Sequence, residues 1–562
     1  MLRDAGTAVP FVPAASAVLI VLVARHRRGL AARIGVGGVL IALVGSLVAL
    51  GSFLAQPTTV VVHLGSSWGS LWLDPLSLVL WAFVSGISVI VHRYSVRAMV
   101  EEAGYGRFFA LLNAMTATIL FLVAAADLIT LLAAWFLVGV FLYFLLGHDL
   151  ERPAAGRYAL WTKVIYRLGD LPLWLAAIVL FRTYHSISLP VLFARMGADP
   201  HATTLGGLSA PALTGILVAL AGFARSAQIL LHSWLPYTMD GPTPVSALMH
   251  AGIVNAAGFL FNRFAPVFEI DGLGLHLALV VGLLSALIGS SLMLIQNDVK
   301  RSLGYSTMGQ MGFMVMECGL GALPLAVFHL IAHGFFKASS FLSAGDAIGE
   351  ARAHDGVPPD LVYSAIVTRR PTRFPRLPLW IAGSLILVVP VVVFSLAHAA
   401  VARHLLFEQG VIVLLFFAWV TGGQALLRAH RLSRANPWKV MGGILVSFVL
   451  VVIGYTLVTH VFGSFLEPGA ASTRLYRAAS LGFVPTGALV AVLALLFAAG
   501  WALAVLVGTE RLWSWLLARW HAAAMAGYAL LTRELYLNDL AGRVADAMVH
   551  LSRWLNLVTW WS

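Results

Sequence analysis

Cysteine is nearly missing from this chain: Cys318 is the only one in 562 residues. A single thiol forms no intramolecular disulfide, holds no iron–sulfur cluster and builds no cysteine-based zinc site, so any redox chemistry would belong to a partner. Charge is scarce as well, at 11% Asp, Glu, Lys and Arg, with only four lysines in the whole sequence. A soluble domain of this size needs far more. With 60% hydrophobic residues and a mean hydropathy of +0.90, the composition is that of a chain dissolved in lipid. The apolar blocks lack the strict alternation of barrel strands, so helices are expected. The formal charge of +12 is scattered through short connections and forms no continuous basic face, which argues against nucleic-acid binding and for a topology signal.

What is present is a series of apolar blocks, each long enough to cross a hydrocarbon core of ~30 Å. They fall near 9–24, 34–55, 71–91, 106–124, 128–147, 158–182, 211–231, 243–263, 275–295, 302–319, 324–344, 378–398, 409–427, 439–463 and 484–507. The predicted fold class is an all-α polytopic membrane protein of about fifteen transmembrane helices. The first block precedes Arg25, Arg27 and Arg28 and lacks a basic leader and cleavage pattern, so it reads as an uncleaved span. Arginines and lysines concentrate in alternate connections, 25–33, 93–107, 152–157, 300–301, 352–376 and 428–439. The positive-inside rule then places the N-terminus outside and the C-terminus in the cytoplasm. Connection 183–210 is long and outside. Connection 345–377 is long and inside, and its TRRPTRFPR reads as a topology anchor or as a docking surface for a cytoplasmic partner. After residue 508, interfacial amphipathic helices are expected.

Within the apolar blocks the densest anomaly is VFHLIAHGFFKASSF, where His329, His333 and Lys337 recur every fourth residue. They share one helical face and form a ladder rising ~12 Å, its rungs within reach of one bridging water. Imidazole and amine are the side chains that exchange protons at useful pH, so three in line inside a membrane point to proton transfer. A second anomaly is the Pro- and Gly-interrupted stretch around Pro236, Asp240, Gly241, Pro242 and Pro244, flanked by Arg225, His232, His250 and Asn255. Breaking a helix at membrane depth frees backbone dipoles, and such breaks often mark ion sites. Arg167 and Asp170 stand one turn apart and read better as a structural ion pair than as a relay. Asp127 and Glu317, near span ends, read as solvated acids or as proton mouths.

These stretches resemble a known family. HSWLPYTMDGPTPVSALMHAG, NDVKRSLGYSTMGQMGF and FHLIAHGFFKASSFL are similar to the antiporter-like membrane subunits of respiratory complex I and Mrp antiporters, and the resemblance covers roughly residues 70 to 345. It implies two inverted five-helix repeats, each with a broken helix. The chain then divides into N-terminal transmembrane helices (1–105), a first repeat (106–263), a second repeat (275–427), and C-terminal helices with an amphipathic tail (428–562). It further implies that Lys337 is the central proton-relay lysine, that His329 and His333 connect to it, and that His250 follows the first broken helix.

Two positions depart from the family: Phe136 stands where a glutamate is usual, and Arg225 replaces the broken-helix lysine. The family's Gly-Phe-x-Ser-Lys-Asp signature and long lateral helix are also missing. The pattern most resembles the membrane subunits of DAB inorganic-carbon pumps. That resemblance implies a bacterial inner-membrane location and a DabA-like cytoplasmic partner, a zinc protein similar to β-carbonic anhydrases, with no cofactor in this chain. Two other functions fit the same residues: a proton-pumping subunit of a complex I or Mrp-type assembly, and a passive membrane anchor. The ion is expected to be the proton, with sodium open through backbone carbonyls at the break.

Overall fold

The computed structural model describes residues 6–343, apart from 66–68, 150, 205–206, 237, 239–240 and 297–298. It also describes 460–467, 471–482 and 518–559, with isolated positions between them. The expected spans 378–398 and 409–427, most of 439–463 and 484–507, and the connection 345–377 lie outside the described residues. The chain forms two compact units, residues 1–344 with 527–562, and residues 345–526.

In the first unit the order is α1 (Phe11–Leu19, continued by a π turn over Ile20–Ala24), α2 (Arg28–Ala55), β1 (Val60–His63), β2 (Ser70–Leu73), α3 (Pro75–Ala98), α4 (Tyr105–Val123), α5 (Leu128–Leu146) and α6 (Pro153–Tyr184). Then come α7 (Leu189–Ala198), α8 (Ala210–Arg225), α9 (Thr243–Ala251), α10 (Ala256–Arg263), α11 (Ala265–Ile270), α12 (Leu273–Leu294), α13 (Val299–Gly319) and α14 (Leu323–Ser343). Among the described residues, nine helices are long and apolar enough to cross a membrane. The chain is therefore a multi-pass membrane protein of helical architecture.

Helix starts follow from capping chemistry. Asp74 accepts from the Ser77 N–H at 2.9 Å with Pro75 at the first position, and the Ser209 hydroxyl accepts from the Ala212 N–H at 3.2 Å ahead of Pro211. Each cap satisfies an amide that the helix itself leaves unpaired, while Pro lacks the amide altogether. On α6, Leu168, Leu171, Leu175 and Ile178 are exposed at helical spacing, a stripe suited to lipid. The segment from Thr243 to Arg263 is the opposite case and lies almost wholly enclosed.

The structure departs from the sequence reading at three places. The span expected at 71–91 begins only at Pro75, because Ser70–Leu73 pairs antiparallel with Val60–His63. A β-branched run, VVVH, before a Gly/Ser turn and an alternating SLWL is a hairpin signature that the apolar count absorbed. The span expected at 211–231 stops at Arg225, and the next one is itself interrupted between α9 and α10 at Gly252–Asn255. Ala227 and Leu230 adopt left-handed backbone (φ 49° and 71°), which ends the helix before its prolines do.

The C-terminal part adds α15 (Ala471–Ala478), α16 (His521–Thr532) and α17 (Leu537–Thr559). In α17, Leu537, Leu540, Val544, Met548, Leu551 and Leu555 recur at helical spacing, as an amphipathic helix requires. This helix belongs to the first unit and meets α6 through an Arg157–Asp546 ion pair of 2.9 Å.

Candidate functional site

The ladder lies on α14, and α13 packs alongside it. Lys337 is fully buried, and its Nζ donates to the Ser306 hydroxyl at 2.9 Å and the Leu303 carbonyl at 3.2 Å, both on α13. At the other end His329 Nδ1 stands 3.0 Å from Glu317 Oε2, again from α13. Between them lies His333, buried, its ring centroid 6.2 Å from that of His329 and neither of its ring nitrogens hydrogen-bonded. The order is therefore carboxylate, imidazole, imidazole, amine. Each neighbour can take a proton that the previous one releases, with a water spanning the wider gaps. Glu317 corrects the sequence reading: it is 2% exposed and paired, and is not a solvated span end. His250, from α9, lies against the same helix, its ring stacked on Phe341 at 4.4 Å with both nitrogens unbonded.

Arg225 closes α8 in a different environment. It is 1% exposed, and its Nη2 donates to Asp170 Oδ1 at 3.0 Å and to the Trp135 carbonyl. The rings of Trp135 and Tyr166 flank its guanidinium at 4.3 and 4.4 Å. Arg167 Nη1 lies 2.9 Å from the other oxygen of Asp170, near enough to pair although not aligned as a hydrogen bond. Its Nη2 donates to the Phe136 carbonyl at 3.0 Å, and its guanidinium lies over the Phe136 ring at 3.7 Å. Two permanent cations thus share one carboxylate. Phe136, at the position where the resembling family usually carries glutamate, contributes a carbonyl and an aromatic face, and the acid here is Asp170 of α6. Gly139 leaves the room, since a Cβ there would meet both guanidinium groups. The positive excess is offset by the two carbonyls and by the negative end of the α8 dipole.

Hydrogen bonds tie the described part of the break between α8 and α9 to its neighbours, as membrane depth demands. The Ile229 amide donates to the Ser285 hydroxyl at 2.9 Å, the Ala257 amide to the Ser226 hydroxyl at 2.9 Å, and the Trp234 indole to the Ala224 carbonyl at 3.1 Å. His232 and Pro236 are buried within it, while Asp240 lies outside the described residues. Gly241, Pro242 and Pro244 border a polar groove of about 410 Å³ with Glu102, His148 and Asp149. In that groove, outside the spans, burial and the nearby Arg107 push His148 down to about 4. Asn255 closes the second interruption by donating to the Ala251 carbonyl at 2.6 Å.

Asp127 is neither a mouth nor a solvated acid. It is 3% exposed and caps α5, accepting from the amides and hydroxyls of Ser70 and Thr130 at 2.7 to 2.8 Å. Sequence reasoning missed a further buried pair, in which Arg263 Nη1 meets Asp74 Oδ2 at 2.7 Å and Nη2 donates to the Val123 carbonyl at 2.8 Å. This pair joins α3 to α10 across 189 positions, and no local spacing could have announced it.

Residues 125–358 match the family model described as NADH:quinone oxidoreductase/Mrp antiporter, and residues 63–109 the one for the N-terminus of complex I chain 5. A protein of Halothiobacillus neapolitanus named "Probable inorganic carbon transporter subunit DabB1" is 50% identical over 556 residues, 98% of this chain and 99% of its own length. The chain belongs to the antiporter-like membrane-subunit family, in its DabB branch. NADH-quinone oxidoreductase subunit L of Rhodobacter capsulatus is 38% identical over 297 residues, 51% of this chain and 41% of that protein. The match to this complex I subunit covers about half of the chain. The Mrp complex from Dietzia sp. DQ12-45-1b shares the fold, with a TM-score of 0.54, 24% identity and coverage of 98% of this chain and 63% of that one. The archaeal membrane-bound sulfane sulfur reductase does so with a TM-score of 0.58, at 15% identity, over 84% of this chain and 99% of that one.

Proposed function

We propose that the chain is the proton-conducting membrane subunit of an energy-coupled inorganic-carbon pump, driving a DabA-like zinc partner similar to β-carbonic anhydrases on the cytoplasmic side. One observation carries this reading. Glu317, the half-buried His329, and the buried His333 and Lys337 form a file of proton-exchanging groups in a chain half identical, along nearly its whole length, to a relative named as a probable inorganic carbon transporter subunit. A passive anchor would have no use for the file. Imidazole and amine suit a proton, whereas sodium would need clustered oxygens.

In this reading protons enter from outside and reach the cytoplasm, and the alternating basic connections support a bacterial inner-membrane placement with the N-terminus outside. The hydration of CO2 to bicarbonate and a proton takes place in the partner, since a chain with a single cysteine lacks the thiolates of a cysteine-based zinc site. Each inward proton delivers about 2.3 kcal/mol per 100 mV, enough to bias a coupled equilibrium about fiftyfold. Arg225, Asp170 and Arg167 act as a fixed charge that sets the field around the path and carries no proton.

The test is growth in air of cells lacking carbonic anhydrase, with this chain expressed alone or beside its partner. Rescue that needs the partner and stops with an uncoupler is expected. Rescue by this chain alone, or rescue that resists the uncoupler, overturns the reading. Copurification with a quinone-reducing assembly in place of a zinc protein would favour the complex I alternative.

A further inference from the structure

Away from the ladder, an apolar groove of about 450 Å³ runs between α1 and α4, with Phe141 of α5 also lining it. Val18, Val21 and Leu22 form one wall and Ala110, Leu111 and Ala114 the other. The only charged groups lining it are Arg25 and Arg107. Arg25 directly follows the span Gly6–Ala24, and Arg107 lies in the first turn of the span Tyr105–Val123, so both guanidinium groups mark the same membrane boundary. From Arg107 to Ala114 the groove descends ~10 Å into the hydrocarbon. Its long axis is apolar and its mouth is doubly cationic.

The mouth is built, not incidental. A Cβ at Gly106 would run into the Arg25 carbonyl, so only glycine lets the end of α1 settle on the start of α4 and bring the two arginines together. Arg107 is held by donating to the His148 carbonyl at 2.7 Å, which leaves most of its five N–H groups free to bind elsewhere. Among the described residues Arg25 meets no carboxylate, and Glu102 of the preceding turn borders the separate polar groove with His148.

We propose that this groove binds an anionic phospholipid, with its phosphate between Arg25 and Arg107 and one acyl chain along Ala110 and Ala114. A phosphodiester is anionic and presents oxygens that match the guanidinium fork. The small residues of α4 would also admit a partner helix, but a helix offers nothing to two cations unless it carries acids at the same level.

The proposal is tested on the purified, delipidated full chain by native mass spectrometry with phosphatidylglycerol and phosphatidylcholine of the same acyl composition. Phosphatidylglycerol should be retained over phosphatidylcholine. Arg25→Gln should lower its retention about fivefold, and Arg107→Gln similarly. Ala114→Phe, which fills the groove and leaves both arginines, should lower retention of both lipids. Lys337→Ala should bind lipid as the unaltered chain does, which separates this test from that of proton conduction. Because the Arg25 side chain pairs with none of the described residues, Arg25→Gln stays informative even if Arg107→Gln misfolds. Equal retention of the two lipids, or retention unaffected by Arg25→Gln, overturns the proposal, as would a photo-crosslink from position 22 to a partner protein in the whole complex.

Discussion

The ladder on α14 and the cluster around Arg225 are both largely buried, charged and surrounded by apolar helices, yet they are built on opposite plans. In the ladder, groups that exchange protons stand in sequence, and the middle one, His333, keeps both ring nitrogens unbonded. In the cluster, two groups that never release a proton are pinned by Asp170, by carbonyls and by three aromatic rings. A mobile proton needs spare valences and moderate basicity, and a fixed field needs neither. In the proposed function the cluster is a fixed charge and the ladder is the conductor.

The sharpest way to break that contrast is Lys337→Ala. It should abolish carbon uptake while leaving membrane insertion and amount of protein unchanged, because the small side chain fits an otherwise apolar helix. Normal uptake in this variant would remove the ladder from the mechanism. Asp170→Asn should act on stability instead. It leaves the buried Arg225 and the half-buried Arg167 without their carboxylate, and the Arg225 pair alone accounts for a loss of about 3–5 kcal/mol, the cost of breaking a buried pair. Thermal unfolding of the purified variant should show it, and an unchanged melting temperature would mean the cluster needs no counter-ion. Glu317→Gln should be milder again. The amide still meets His329, so the fold persists, but proton flux in vesicles should fall several-fold because an amide cannot bind the proton. Unchanged flux would place the ladder's end at His329.

How much of this was legible beforehand follows from distance along the chain. The ladder shows in the sequence because its rungs are one turn apart, and Arg167 with Asp170 for the same reason. Arg225 lies 55 positions beyond Asp170, so their meeting waits on the fold. Glu317 could be seen but not placed: a hairpin of two helices carries it from a span end to the side of His329. Asp127 looked exposed because it sits between spans, whereas capping and a neighbouring β-strand enclose it. Ahead of the prolines, left-handed residues that no composition rule marks set where the helix stops.

The finest test of the contrast is a pair of substitutions at Arg225, where the smaller change is the more informative. Arg225→Ala removes the charge, frees Asp170 from one partner and leaves a hole between Trp135 and Tyr166, so activity should be largely lost. Arg225→Lys keeps the charge and much of the volume. It gives up the planar fork that reaches the Trp135 carbonyl and Asp170 together, and most activity should remain. The pH profile then decides between a carrier and a fixed charge. Arginine holds its proton throughout the working range, so the unaltered site adds no pH dependence of its own. A lysine there can lose its proton, and once neutral it no longer supplies the field. Flux in Arg225→Lys should therefore match that of the unaltered chain at acidic pH and fall away as pH rises, measured in vesicles with the whole complex. Were Arg225→Lys instead faster than the unaltered chain, with the gain growing towards high pH, the site would be a relay restored, and the cluster and the ladder would be conductors of one kind.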